Sequence, residues 1–265
     1  MAKHPSVLAV PLSDFNVSMN WMVYGLPGCG KTGLAAGLPN NVFFNCEPGI
    51  ITAKRMKSDA EVVHLRNWDD VEEAIQAAED GAYDGAEWIT VDTLSTIQQL
   101  GFRWQTNRAH GLNQKQDIDV PDLQGHQKVQ FMTRRFVSKL VDLPINVMFL
   151  CHMMATENND GSTVTLPSIE GQAKKGYAVA SYCMALMNTV GYMEVRDVDD
   201  EQQRGILWQT REDPKKDIIY TAKDNFGVLG TYTRKPYMPD LLAKVNAPTV
   251  LKAKKAKKSK QLQDA

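Results

Sequence analysis

The sequence predicts an α/β fold in which a mostly parallel sheet is flanked by helices and extended by antiparallel strands on its C-terminal side. Apolar strands alternate with helical segments through the first 150 residues, a pattern typical of parallel strands joined by right-handed crossovers. Residues 145–151 are apolar almost throughout, as expected for a strand buried on both faces. Beyond His152 the predicted strands follow one another closely, which favours antiparallel pairing.

The first half of the chain is expected to supply the parallel core. Residues 19–24 read as a buried strand that runs into a glycine-rich loop, and a helix then starts at Lys31 and ends by Leu38. A second helix opens at Asp69, where apolar residues recur at helical spacing behind an acidic first turn. The other predicted strands of this half are 41–46, 61–65, 88–92 and 145–151, and the other helices are 95–108 and 127–141.

The second half is expected to add successive strands that extend the parallel core with antiparallel pairing. An acidic turn at residues 197–201 predicts a hairpin between two of them. The predicted strands are 164–166, 186–195, 205–210 and 218–221.

Length and composition indicate one large domain with appendages. The chain has 265 residues, of which 43% are hydrophobic and 23% charged, and this is ordinary for a globular protein. We expect an N-terminal arm over residues 1–16, one domain over residues 17–246 and a disordered lysine-rich tail over residues 247–265. No segment has the ~20 apolar residues of a membrane span or the pattern of a secretion signal, so we expect no membrane partner.

The charge is unevenly distributed. Residues 252–265 contain six lysines and one aspartate, so they carry +5, and the rest of the chain carries -6 because the total is -1. A basic tail on an acidic body suggests an anionic partner for the tail. The four cysteines stand singly, which predicts buried reduced thiols.

A phosphate-binding loop joins the first strand to the first helix. The pattern GxxxxGK[ST] is matched at every defined position, by Gly25, Gly30, Lys31 and Thr32. Glycines let the backbone N–H groups approach a phosphate, the lysine neutralises its oxygens, and the threonine hydroxyl ligates Mg²⁺. The residues expected to hold the nucleotide are Gly25, Pro27, Gly28, Cys29, Gly30, Lys31, Thr32 and Gly33.

Three polar residues follow other predicted strands and should meet at the same edge of the sheet. Asp92 is the candidate second Mg²⁺ ligand beside Thr32, although a helix N-cap is the alternative role. Glu47 is placed to orient the attacking water, and a solvated loop glutamate is its alternative. His152 is placed to touch the γ-phosphate, and a purely structural histidine is its alternative.

The order of these elements resembles the core of RecA-like ATPases. Glu47 follows the strand after the phosphate loop, Asp92 follows a later strand, and His152 follows the next. More narrowly, the chain resembles the phage ATP-binding proteins that include the Sak-type single-strand annealing proteins, a trimmed RecA-like group. The segment 220–227 is similar to that group's lysine-containing motif before a glycine turn, and the resemblance covers roughly residues 17–245.

The resemblance implies an ATP- and Mg²⁺-dependent ATPase that acts on single-stranded DNA in phage recombination or replication, in the cytoplasm of the bacterial host. Members of this class assemble as homo-oligomers, with ATP at the subunit boundary and a basic residue reaching in from the neighbour. Lys223 is the candidate for this trans-acting residue, with Arg211 second. The chain departs from the expected pattern at Asn225, where an arginine is expected. A phage single-strand binding protein is a further candidate partner.

RecA-like proteins contact DNA through two loops, which correspond here to residues 110–127 and 156–176. Cations flank the first loop at Arg103, Arg108, Lys115 and Lys128, and the second contains Lys174 and Lys175. The lysine tail is a third candidate contact, because each lysine that neutralises a phosphate releases counterions. Ordinary solvated loops and a solubility tail are the alternatives.

Two other functions are compatible with the phosphate loop. A nucleotide-gated scaffold would bind ATP with little turnover, and the departure at Asn225 motivates it. A small-molecule kinase uses the same loop but usually closes an arginine-rich lid, and no such segment is evident.

Overall fold

The structure is a computed structural model that describes residue 11 and residues 17–115, 117–157, 161–171, 179–199 and 201–248. Almost all of the predicted arm (1–16) and of the predicted tail (247–265) lie outside the described residues, and so do Lys174 and Lys175. The domain boundaries therefore stay predictions.

The described part of the chain contains seven α-helices, one 3₁₀-helix (Pro48–Ile50) and twelve strands. The helices are α1 (Lys31–Ala35), α2 (Ile51–Arg55), α3 (Trp68–Glu79), α4 (Leu94–Leu112), α5 (Leu123–Val141), α6 (Val179–Leu186) and α7 (Met238–Asn246). The strands are β1 (Asn20–Gly25), β2 (Asn41–Asn45), β3 (Glu61–His64), β4 (Trp88–Asp92), β5 (Asn146–Glu157), β6 (Thr163–Pro167), β7 (Thr189–Val198), β8 (Glu201–Leu207), β9 (Arg211–Asp213), β10 (Ile218–Tyr220), β11 (Lys223–Asp224) and β12 (Tyr232–Arg234).

The central sheet is mostly parallel, as predicted. Its strand order is β12-β8-β7-β1-β5-β4-β2-β3. β7, β1, β5, β4, β2 and β3 are joined by parallel pairings, and β8 and β12 add antiparallel pairings on one side. We call the edge at which β1, β2 and β4 end the carboxyl edge.

Two strands continue past the carboxyl edge and form structures above it. β5 pairs with β1 as far as His152, and its last residues pair with β6, which leads to β10 and β9. β7 pairs with β1 as far as Met193, and its continuation forms the predicted hairpin with β8. Both extensions border the end of β1, where the phosphate loop begins.

The sheet is covered on both faces because its strands are apolar on both faces. In β1, Met22 and Tyr24 belong to one hydrophobic core, which α3, α4, α5 and α6 complete. Trp21 and Val23 belong to a second core, which α1 and α7 complete. This alternation is the period of two expected of a strand. The result is a three-layer α/β sandwich.

Most predicted elements are confirmed, and the differences have local causes. β4 has the predicted bounds. The first helix is shorter than predicted and ends at Ala35. The prediction that a strand begins at Leu186 is wrong, because Leu186 is the last residue of α6. The apolar residues around Leu186 fit a buried helix as well as a strand, and hydrophobic periodicity cannot separate the two. Helices α2, α6 and α7 were not predicted.

None of the helices in the described ranges has the length and apolarity that crossing a bilayer requires.

Candidate functional site

The phosphate loop connects the end of β1 at Gly25 to the start of α1 at Lys31. Gly28 and Gly30 have φ angles of +78° and +108°, in the left-handed region that glycine adopts without steric cost. At Gly25 a Cβ atom would lie 2.2 Å from the carbonyl oxygen of Met193 in β7. Glycine is therefore required at Gly25 by the close approach of β7, and at the other two positions by the backbone conformation.

Lys31 lies inside the loop with its ammonium group against the backbone. It is 6% exposed, and its Nζ donates hydrogen bonds to the carbonyl oxygens of Gly25 and Leu26, both at 3.0 Å. These acceptors are neutral, so an anionic phosphate oxygen can replace them as the stronger partner. The lysine is already positioned on the loop.

Thr32 and Asp92, the two predicted metal ligands, are in direct contact. The Thr32 hydroxyl donates to Oδ2 of Asp92 at 2.8 Å. Burial raises the pKa of the Asp92 carboxyl, and the hydrogen bond from Thr32 opposes this shift. A hydroxyl and a carboxylate oxygen side by side are the hard oxygen ligands that Mg²⁺ prefers. The pair fits a magnesium ion bound next to the phosphate loop.

Glu47 accepts three hydrogen bonds on one oxygen. Its Oε1 is 2.6 Å from the Thr93 hydroxyl and 2.9 Å from Nε2 of His152, and the Thr96 hydroxyl is its third partner. Burial alone would raise the pKa of Glu47, but the hydrogen bonds from His152, Thr93 and Thr96 outweigh it and lower the pKa to about 2. Three donors therefore hold the Glu47 carboxylate in place, and its role in orienting the water stays a prediction.

Main-chain and capping contacts place these side chains together. Thr93 is the N-cap of α4, and its hydroxyl accepts from the Thr96 amide at 3.2 Å while donating to Glu47. The amide of His152 donates to the Ser95 hydroxyl at 3.0 Å. Helix α4 is thus attached at its first turn to Glu47, which follows β2, and to His152 within β5. The contact of Glu47 with the threonines was not predicted.

The structure does not bring Lys223 to this site within its own chain. Lys223 pairs in β11 with Val190, near the start of β7 and away from the carboxyl edge. Its Nζ donates to the carbonyl oxygens of Met184 and Ala185 at the end of α6, at 3.4 and 3.2 Å. Burial lowers its pKa. Lys223 therefore stabilises the end of α6, and its trans-acting role stays a prediction. Arg211 lies in β9, also outside the phosphate loop.

One basic residue near the phosphate loop was not among the predicted site residues. Arg204 lies in β8, and its side chain is so close to Gly30 that a Cβ atom there would be 2.7 Å from Nε of the arginine. No sequence signal identifies it, because the contact depends on the pairing of β8 with β7 and of β7 with β1.

Comparison with known proteins identifies the family. The family model described as an AAA domain matches residues 18–223. Among solved structures, a KaiC-like protein from the hyperthermophilic archaeon Pyrococcus horikoshii OT3 aligns over 71% of this chain and 77% of its own, with 11% identity and a TM-score of 0.42. That likeness is too low to carry any function across. No curated protein matches the chain.

Proposed function

This chain belongs to the AAA domain family, and from that premise we propose that its P-loop ATPase domain binds ATP with Mg²⁺ and hydrolyses it in response to single-stranded DNA. The proposal includes assembly into a homo-oligomer and a role in phage recombination or replication, to which the sequence resemblance points. The observation that carries the ATPase part is the convergence of Lys31, the Thr32–Asp92 pair and Glu47 at one edge of the sheet.

In this proposal each of these residues has one task. Lys31 would bind oxygens of the β- and γ-phosphates, and Thr32 and Asp92 would hold Mg²⁺. When bound, Mg²⁺ neutralises charge on the phosphate oxygens. The water oxygen would attack the γ-phosphorus in line and form a phosphorus–oxygen bond while the bond to the β-phosphate oxygen breaks. The proton lost by the water would pass to a phosphate oxygen, and ADP and phosphate would leave.

Glu47 orients the attacking water and does not act as a general base that accepts the proton of the water. A carboxylate with a pKa of about 2 is a weak base, because efficient general bases have a pKa near the working pH. One of its oxygens is occupied by His152 and the two threonines, so the other oxygen is the acceptor for the water. His152 therefore acts through Glu47 as a positioning residue.

Support for single-stranded DNA comes from a cleft of about 570 Å³ between the β3–α3 loop and α4, here called the Trp104 cleft. Arg66, Arg103 and Arg108 line it together with Trp104. Arg108 and Lys128 lie over the Trp104 ring, at 5.1 and 5.4 Å from its centroid. Arginine and tryptophan in one cleft suit phosphates and unstacked bases. Asp69, which accepts from the Trp104 indole at 3.0 Å, holds the ring in place.

Helix α4 connects this cleft to the nucleotide site. Its N-cap Thr93 and first-turn Thr96 hold Glu47, and Trp104 lies further along the same helix. A shift of α4 on DNA binding would therefore move the two hydroxyls that hold the carboxylate. This arrangement supports hydrolysis that depends on DNA.

The ATP hydrolysis rate with and without single-stranded DNA, at low and moderate salt, tests the proposal. We expect stimulation that declines as salt rises, because phosphate contacts release counterions. ATP binding without turnover at either salt would contradict the ATPase and favour the nucleotide-gated scaffold. An ATP hydrolysis rate that single-stranded DNA does not change would contradict only the proposed dependence on DNA. Light scattering with and without ATP and DNA tests the homo-oligomer.

Charge reversal in the Trp104 cleft should weaken DNA binding. We expect Arg103→Glu and Arg108→Glu each to lower affinity for a fluorescent oligonucleotide by roughly tenfold and to reduce the salt slope by about one. Trp104→Ala should lower affinity further, since base stacking contributes ~1–3 kcal/mol.

Lys244→Glu is the matched control for these variants. Lys244 is an exposed residue of α7, on the opposite face of the sheet, and its charge reversal should leave oligonucleotide affinity near that of the wild type. Equal losses in this control and in Arg103→Glu would mean that overall charge, and not the cleft, attracts DNA. Basal ATP hydrolysis should be retained in all of these variants.

A further inference from the structure

The β7–β8 hairpin forms a wall beside the phosphate loop. Met193 of β7 is in register with Gly25, and its carbonyl oxygen occupies the space that a side chain at Gly25 would need. The hairpin then continues past the carboxyl edge, where Arg204 is paired with Val195. One side of the loop thus faces Asp92 and Glu47, and the other side faces this hairpin.

Arg204 reaches from the hairpin onto the loop itself. A Cβ atom at Gly30 would lie 2.7 Å from Nε and 2.8 Å from Cδ of Arg204, and 3.2 Å from Cε of Met193. The start of the guanidinium group therefore fills the space beside Gly30, the residue before Lys31. The φ angle of +108° at Gly30 is what disfavours a side chain there, and the Arg204 side chain occupies the space that glycine leaves open.

The guanidinium group of Arg204 is available to a ligand. The residue is exposed, and within the described part of the chain its side chain makes no hydrogen bond or ion pair. Arg196 on the same hairpin differs, because it pairs with Glu194 at 2.5 Å and lies over the Tyr232 ring at 5.1 Å. Of these two arginines of the hairpin, Arg204 is unpaired and lies on the phosphate loop.

We propose that Arg204 is a cis-acting phosphate-binding residue that contacts the nucleotide bound by the loop. The inference rests on the proposed function, since it assumes a nucleoside triphosphate in the site. Mg²⁺ and Lys31 together leave a triphosphate with one uncompensated negative charge, and Arg204 supplies the balancing cation. Arginine suits this task, because its planar fork of N–H donors matches phosphate oxygens and its charge is permanent.

This assignment removes the need for a trans-acting cation in nucleotide binding. Lys223 is engaged with the end of α6, and Asn225 stands where an arginine was expected. A charge delivered from within the chain would let each subunit bind its nucleotide before assembly.

The test is the affinity of the full chain for ATP, ADP and AMP, measured by calorimetry for the wild type, Arg204→Ala, Arg204→Lys and Arg234→Ala. We expect Arg204→Ala to weaken ATP binding by about tenfold to a hundredfold, the range for lost charged hydrogen bonds, with a smaller loss for ADP and the smallest for AMP. Arg204→Lys should restore part of the affinity. Arg234, an exposed arginine in the neighbouring strand β12, is the matched control and should bind like the wild type.

The outcomes separate this inference from the proposed function. A wild type that binds no ATP would contradict the proposed function. A wild type that binds ATP, with Arg204→Ala binding equally well, would overturn the role of Arg204 alone. Equal losses for all three nucleotides, or a lowered melting temperature without nucleotide in both Arg204 variants, would assign Arg204 to loop structure and also overturn it.

Discussion

Replacing Lys31 by alanine is expected to abolish ATP hydrolysis, with kcat/KM falling by at least about a thousandfold. The ammonium group is the one cation inside the phosphate loop, where its Nζ lies 3.0 Å from two loop carbonyl oxygens. Its charge stabilises the oxygens that become more negative during transfer of the γ-phosphoryl group. Steady-state phosphate release, with and without single-stranded DNA, measures the effect.

Lys54→Ala is the control for Lys31→Ala. Lys54 is an exposed lysine in the last turn of α2, so its removal should leave the rate near that of the wild type. Circular dichroism should show that Lys31→Ala remains folded. A folded Lys31→Ala protein with wild-type turnover would show that the measured activity does not arise at this loop.

Replacing Glu47 by glutamine should lower kcat by about a hundredfold to a thousandfold while ATP affinity stays near that of the wild type, a loss typical of removing one fixed transition-state contact. Glutamine keeps the size of the side chain but removes the charge that orients the water. In the wild type the hydroxyls of Thr93 and Thr96 donate to the carboxylate. In the variant they face an amide instead. Single-turnover hydrolysis measures the chemical step separately from binding.

The pH dependence provides a second test of Glu47. Its pKa is lowered from 4.5 to about 2, so the hydrogen bonds to the carboxylate stabilise the fold fully above about pH 4.5 and are lost as the pH falls toward 2. We therefore expect no loss of rate from protonation of Glu47 between about pH 5 and 8. An acidic limb in this range that disappears in Glu47→Gln would show that Glu47 is a general base with an ordinary pKa.

Glu61→Gln is the control for the glutamate substitution. Glu61 is an exposed residue of the edge strand β3, and its neutralisation should leave both kcat and its pH profile unchanged. A kcat loss of similar size in both variants would trace the effect to net charge rather than to water orientation.

The phosphate loop and the strand-end acids could be predicted because their signals are local. Gly25, Gly30, Lys31 and Thr32 lie within eight consecutive residues, and the loop conformation depends on those residues. Asp92 ends one short buried strand, and Glu47 follows another. Parallel strands end at one edge, so their meeting there followed from the order of elements alone.

The positions of two cations, Lys223 and Arg204, could not be predicted from the local sequence. The motif around Lys223 predicts a trans-acting residue, but antiparallel pairing with β7 places Lys223 beside the end of α6. Arg204 has no motif around it, but the hairpin places it on the loop. The positions of both depend on strand pairings between distant segments, which the local sequence does not encode.

The sequence by itself determined the fold class, the phosphate loop and the meeting of Thr32 with Asp92, because each depends on residues close together in the chain or on the common edge of parallel strands. Only the tertiary structure decided which partners complete the site. Thr96 and His152 hold Glu47 as an ionised carboxylate, and β8 places Arg204 against Gly30. Hydrogen bonds and close contacts form only where groups from distant segments lie within a few ångströms of each other. Packing of the whole sheet and its helices sets those distances.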